Sequence, residues 1–188
     1  MPGTLLRNEM NYYSEWSQDS YMDILMKYKE NGTFVDIGAN EYNTNNNSCF
    51  FELERNFTGI GIDIDPQHTD GWEQNRKSPF ICDDATKINY SKLFKKYNLP
   101  KVIDFLSVDV DPAEVSMASL IKVIKSGYQF NIIDFEVAHD EPVTLQCKEL
   151  LESKGYRLVK EIHIKGHYHL DDIYVHNSFY EEGMENWI

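Results

Sequence analysis

The stretch Thr33 to Ser48, TFVDIGANEYNTNNNS, constrains the fold of this chain more than any other. Its apolar run, Phe34, Val35 and Ile37, passes through Asp36 into Gly38-Ala39-Asn40. A short apolar run that ends in glycine and small polar residues reads as a buried parallel strand entering a loop. Gly59 to Pro66, GIGIDIDP, has the same character and ends its apolar part at Asp63. Two such strands open a doubly wound nucleotide-binding sheet. The glycine lets a ligand approach the backbone, and the acid after the second strand takes ribose hydroxyls. Phosphate-binding loops of this kind carry G-x-G-x-x-G. Here the loop reads G-A-N-E-Y-N, with one glycine and with Glu41 where an anion would lie. The pattern favours an adenosyl ligand bearing positive charge over a dinucleotide, and S-adenosylmethionine is the candidate.

The rest of the chain alternates helical and strand patterns. Ser17 to Glu30 predicts a helix, with Ser17 as N-cap and Tyr21, Ile24, Leu25 and Tyr28 on one face. A short helix after Ser48 carries Phe50, Phe51 and Leu53 inward. Strand two is Gly59 to Asp63, and Pro66 opens a turn or short helix toward Asn75. Pro79 to Cys82 is a third strand that runs into Asp83-Asp84-Ala85-Thr86, and Tyr90 to Tyr97 is a helix. Val102 to Val110, VIDFLSVDV, is the strongest strand pattern and predicts a central position. Pro112 suits the first turn of a helix over Ala113 to Ser126, with Met117, Leu120, Ile121 and Ile124 facing the sheet. Phe130 to Val137 is strand five. Glu141 to Lys154 is a helix with Val143, Cys147, Leu150 and Leu151 inward. Tyr156 to Ile164 and Asp171 to His176 form a final antiparallel pair. Such alternation implies an α/β fold with a mostly parallel sheet and helices on both faces, whose ligands bind beyond the carboxyl ends of the strands. Asp36, Asp63, Asp84, Asp109 and Glu136 all stand at or near those ends.

At 188 residues the chain is one domain with a sizeable core. A formal net charge of −13 disfavours nucleic acid as a partner, since a polyanion would meet net repulsion. Cys49, Cys82 and Cys147 are few and lack C-x-x-C spacing, so a cytoplasmic, reducing setting is the expectation. No apolar segment is long enough for a membrane span.

The motifs together resemble those of the FkbM-type, S-adenosylmethionine-dependent methyltransferases. Tyr13 to Asp19, YSEWSQD, is similar to that family's opening Y-S-Q-x-G-Q-D. Phe34 to Glu41, FVDIGANE, resembles F-V-D-I-G-A-N-D, and Asn46 to Leu53 echoes S-N-T-x-x-L-E. Leu106 to Glu114, LSVDVDPAE, resembles L-S-L-D-V-E-G-A-E, while Leu150 to Val159 and Asp171 to Val175 match the C-terminal pattern. Three departures from the family stand out: Tyr42 replaces a glycine, Asp111-Pro112 replaces Glu-Gly, and the chain is short, with little room for a substrate-binding insertion. The resemblance implies a three-layer, Rossmann-like class I methyltransferase fold: a seven-stranded, mostly parallel sheet with an antiparallel last strand. Residues 1–31 would form an arm and helix over the cofactor site.

For the cofactor, the resemblance implies that Asp36 and the backbone of Gly38 and Ala39 hold the methionyl end, with Asn40 and Ser48 as extra partners. Asp63 would bridge the ribose hydroxyls, beside Ile64. Asp84 would accept from the adenine amino group, with the backbone N–H of Ala85, and Gln18 would close the pocket. Asp109 belongs to the same set. On the acceptor side Asp109, Asp111, Glu114, Glu136 and His139 are expected to converge, with His139 as general base. The same oxygens would suit Mg²⁺ or Mn²⁺. His163, His167 and His169 read as loop residues beside the last hairpin rather than as a metal cluster. Tyr42 is expected to displace its loop and to set its ring beside the cofactor pocket.

The acceptor class implied by the resemblance is a hydroxyl on a small molecule or sugar. Two other functions compete: a metal-dependent hydrolase or phosphotransferase using the acidic edge, and a degenerate, non-catalytic binding domain.

Overall fold

The computed structural model describes residues 11–137, 141–164 and 168–188. Seven strands alternate with six helices: α1 Gln18–Leu25, β1 Thr33–Ile37, α2 Cys49–Glu54, β2 Thr58–Asp63, α3 Thr69–Asn75, β3 Phe80–Cys82, α4 Tyr90–Lys96, β4 Val102–Val108, α5 Ala113–Ile124, β5 Gln129–Glu136, α6 Glu141–Ser153, β6 Tyr156–Ile164 and β7 Tyr168–His176. The sheet order is β3-β2-β1-β4-β5-β7-β6, parallel throughout except that β7 runs antiparallel to both neighbours. The expected seven-stranded sheet with its antiparallel last strand is therefore present. That order reverses between β1 and β4, which opens a crevice at their carboxyl ends.

Apolar clusters lie on both faces of the sheet. One gathers Val35, Ile60, Leu106 and Ile133 with α4, α5 and α6; the other gathers Phe34, Phe105 and Ile132 with Met22, Leu25, Phe50 and Phe51. Strand register lines up Phe34, Phe105, Ile132 and Val175 as an apolar row across β1, β4, β5 and β7. Two residues further along each of β1, β4 and β5, on the same face because side chains repeat every second residue, lies the row Asp36, Ser107 and Asp134. All three are buried.

Several local expectations give way. Helix α1 ends at Leu25 rather than Glu30, and residues Lys27 and Tyr28 take positive φ, 54° and 59°, which no helix continues. Ser17 sits in the left-handed region at φ 71° and makes no side-chain cap. Asp19 orders the entry to the helix instead, accepting from Tyr13 N and from Ser14 N and Oγ. Tyr28 and Leu53 are about half exposed, not inward, while Met22 and Phe57 are buried in the core of that face. Helix α5 buries Ala113, Ser116, Ser119, Leu120 and Val123, a stripe rotated from the predicted one toward its small side chains. Strand β4 stops at Val108, so Asp109 leaves the sheet and lies in the crevice.

Candidate active site

Gly38 turns the chain out of β1 at φ +85°, and a Cβ there would overlap the carbonyl oxygen of Asp109. Only glycine fits both the dihedral and that approach of the two strand ends. The loop that follows is shaped by asparagine. Asn40 and Asn45 take positive φ, 47° and 50°, a conformation this residue type tolerates. Asn46 donates to the carbonyls of Ala39 (2.7 Å) and Glu41 (3.1 Å), and its Oδ1 accepts from Ser48. Arg76, from the end of α3, braces the loop from behind. It donates to Tyr42 O (2.8 Å), Asn46 Oδ1 (3.2 Å) and Ser48 Oγ (3.1 Å). Its charge pairs with buried Glu52 at 3.2 Å, and it lies 4.2 Å from the centre of the Trp72 ring.

Two adjoining cavities open over the crevice. The larger, about 400 Å³, is lined by Glu15, Trp16, Gln18, Gly38, Asn40, Asn45, Asn47, Asp63, Ile64, Asp109, Val110, Asp111, Glu136, Leu170 and Asp171. The smaller, about 260 Å³, lies over Asp83, Asp84, Ala85 and Thr86 and is more apolar. Gly38, Asp63, Ile64, Val110 and Asp111 border both. Asp63 thus stands at the junction. Its Oδ2 accepts from Asn40 N at 3.0 Å and its Oδ1 from Asp65 N at 2.9 Å, which fixes the carboxylate and leaves each oxygen a further lone pair.

Of the residues singled out in the sequence, Gln18, Gly38, Asn40, Asp63, Ile64, Asp109 and Glu136 line the larger cavity, and Asp84 and Ala85 line the smaller. Asp36, Ala39 and Ser48 lie outside both linings, buried beneath the loop. The N–H groups of Gly38 and Ala39 both point back to Ile62 O, at 2.9 and 3.0 Å, so they brace the turn instead of facing a ligand. Asp84 already bonds Thr86 and Lys87, contacts that hold its carboxyl down at about 2. His139 and His167 lie outside the described residues. The ring of Tyr42 does not flank either cavity; it packs toward Gly71 in a separate surface depression with Gln67 and His68. The asparagines absorb the bend that glycine would otherwise supply.

The electrostatics are one-sided. Six carboxylates line the larger cavity, from Glu15, Asp63, Asp109, Asp111, Glu136 and Asp171, and no Lys or Arg does so among the described residues. Burial and the neighbouring Glu136 push Asp109 well above the ordinary carboxylate range, and Glu136 is raised chiefly by burial. Burial and Asp109 raise Asp171 to about 7, while a hydrogen bond from Gln18 Nε2 at 3.0 Å opposes the shift. Beneath them Asp36 is raised to about 6 by burial, against the pull of Ser48 and Arg76, and burial also raises Asp134. One oxygen each of Asp36, Asp134 and Glu136 is buried without a hydrogen-bond partner. Such a site retains protons near neutrality and attracts cations.

Sequence reasoning missed Asp171, Asp134 and Arg76. Asp171 was visible as part of the Asp171-Asp172 motif, and Asp134 breaks an otherwise apolar strand. Arg76 carried no sequence signal, because its partners lie 24 to 34 residues earlier, in α2 and the loop before it.

No family model and no curated protein matches the chain. Solved structures do match its fold. A protein described as an rRNA methylase from Clostridium thermocellum superposes with a TM-score of 0.60 at 14% identity, over 88% of this chain and 97% of that one. The fold is that of the class I methyltransferases. Fibrillarin from Aeropyrum pernix, crystallised with natively bound S-adenosyl-L-methionine, gives 0.57 at 15% identity over 93% and 85% of the two chains. The N-methyltransferase NodS from Bradyrhizobium japonicum, in complex with S-adenosyl-L-homocysteine, gives 0.55 at 11% over 92% and 91%. Among the described residues no helix is long and apolar enough to cross a membrane.

Proposed function

We propose that the chain is an S-adenosylmethionine-dependent methyltransferase of FkbM type that methylates a hydroxyl on a small molecule or sugar. The observation that carries this reading is Asp63, held rigidly at the junction of two cavities at the carboxyl ends of β1, β2 and β4. In this reading the smaller cavity takes adenine over Ala85 and Asp84, Asp63 takes the ribose, and the larger cavity takes the methionyl group and the acceptor. The carboxylates suit the sulfonium and the methionyl ammonium, and Gln18 and Asn40 supply polar side chains at the same wall. Methyl transfer is an in-line displacement on an activated donor, so the protein's main contribution is alignment. In this reading Asp109 and Glu136, within hydrogen-bond reach of each other, take the hydroxyl proton.

The similar structures include an rRNA methylase and an N-methyltransferase, and the acidic lining supports an acceptor other than RNA in this reading. A cavity of six carboxylates repels phosphates, which favours a neutral or cationic acceptor. The hydrolase alternative needs clustered metal ligands. Among the described residues, no three carboxylates of the cavity bring ligand atoms within 4.8 Å of one another. Three free cysteines fit work in a reducing cytoplasm.

The test is incubation with methyl-labelled S-adenosylmethionine and separate pools of sugars, hydroxylated small molecules and RNA. Label in a hydroxyl-bearing small molecule supports the reading. Label in RNA alone would overturn the acceptor class.

A further inference from the structure

A second cluster of ligating side chains lies away from the crevice lining, on the β6–β7 hairpin at the sheet edge. Strand pairing sets Glu161 opposite Asp172 and His163 opposite His169. His169 and Asp172 are three residues apart, so in a regular strand they would face opposite sides of the sheet. The register shifts between Ile162 and His163: Ile162 pairs with Asp171, but His163 pairs with His169. Leu170 is the extra residue of that bulge. It lines the larger cavity, while the bulge returns His169 to the side of Asp172.

The result is a compact set. His169 Nε2 lies 2.7 Å from Asp172 Oδ1, and one ligand atom each from Glu161, His169 and Asp172 all lie within 4.8 Å of one another. Among the described residues this is the group of three that meets that limit. The site is built on one side and open on the other. Asp172 is 2% exposed, and its second oxygen accepts from Tyr174 OH at 3.0 Å, which fixes the carboxylate. Glu161 is exposed and reaches His163 Nε2 at 3.3 Å, and the His163 ring stacks on His169 at 4.8 Å with 21° between planes. Two carboxylates and an imidazole, with solvent on the open side, match a three-ligand site that leaves a fourth position for water. Held second oxygens are what orient metal-bound carboxylates. Histidine in the set selects for Zn²⁺-like ions over Mg²⁺.

We propose that Glu161, His169 and Asp172 form a site for a divalent transition ion of the Zn²⁺ class, which clips β6 to β7 beside the bulge. The ion would replace the proton between His169 and Asp172 and join the edge strand to its neighbour without entering the crevice. This is independent of the methyltransferase reading.

The experiment is calorimetric titration of chelator-treated, full-length protein with ZnCl₂, and in parallel with MgCl₂. The expected result is one Zn²⁺ per chain and no Mg²⁺ heat. Glu161→Gln, at an exposed position of the edge strand, should weaken Zn²⁺ binding roughly tenfold or more, as should His169→Ala. Circular dichroism checks that each variant is folded, and Cys82→Ser should bind as the wild type does. Absence of Zn²⁺ binding would overturn the proposal. So would unchanged affinity in folded Glu161→Gln and His169→Ala, or loss of binding in Cys82→Ser, which places the ion at the exposed thiol.

Discussion

Two rows of side chains on one face of the sheet, a single pleat apart, are built on opposite principles. Phe34, Phe105, Ile132 and Val175 are buried among other apolar groups, and Phe105 packs on Phe34, Phe51 and Phe57 with ring centres 5.7, 4.6 and 6.3 Å away. Asp36, Ser107 and Asp134 are equally buried, yet Asp36 and Asp134 each keep an oxygen without a partner. The first row is favourable to fold. The second costs free energy, because burying a carboxyl group without hydrogen bonds is unfavourable. The comparison teaches where stability ends and the site begins: the change falls within two residues, at the carboxyl ends of β1, β4 and β5.

The largest effect expected is from the apolar row. Phe105→Ala should cost about 3–5 kcal/mol in urea unfolding, the usual range for a buried aromatic truncated in a packed core. A loss below about 1 kcal/mol would show that the row is not the core of this face. The polar row should respond with the opposite sign. Asp134→Asn keeps the shape, removes a buried ionisable group, and should stabilise the chain by about 1 kcal/mol at pH 8. The gain should shrink at pH 5, and a destabilised variant at pH 8 would break the contrast between rows.

The ligand-free wild type carries the same signature in its pH dependence. Burial raises Asp36 to about 6 and Asp171 to about 7, above their ordinary value of 3.8. The folded state therefore holds more protons than the unfolded one between pH 4 and 7. These groups do not disfavour folding below about pH 4, and they do so increasingly as pH rises through 7. The melting temperature should fall from pH 5 to pH 8, and Asp171→Asn should reduce that fall. A melting temperature that rises over the same interval would contradict the burial of these acids as a cost.

The smallest effect concerns Tyr42. Its ring lies toward Gly71, outside both cavities, so Tyr42→Gly should change affinity for S-adenosylhomocysteine by less than about twofold, under about 0.5 kcal/mol. A larger change would return the ring to the site.

The fold was legible because hydrophobic periodicity and glycine placement are local signals. Runs such as Val102 to Val108 and turns such as Gly38 declare themselves without knowledge of their neighbours. Helix faces were read less well. Ser116 of α5 is buried although polar, because contact with the sheet rather than hydropathy chose the face. The acids beyond the strands were visible as a set, but their division was not. Whether Asp36 faces a ligand or the loop behind it depends on Asn46, Ser48 and Arg76, three residues set by the tertiary fold. The bulge at Leu170 was hidden for the same reason, and with it the grouping of His169 and Asp172, since β7 was expected to begin only at Asp171.

Asp63 is proposed to anchor an adenosyl cofactor across the two cavities. Calorimetric titration with S-adenosylhomocysteine tests it most directly. One ligand per chain is expected, with affinity lowered roughly 10- to 100-fold in folded Asp63→Ala, the loss of about 1.5–3 kcal/mol that follows from hydrogen bonds to a charged group. No binding to the wild type at millimolar ligand, or equal affinity in wild type and Asp63→Ala, would contradict it.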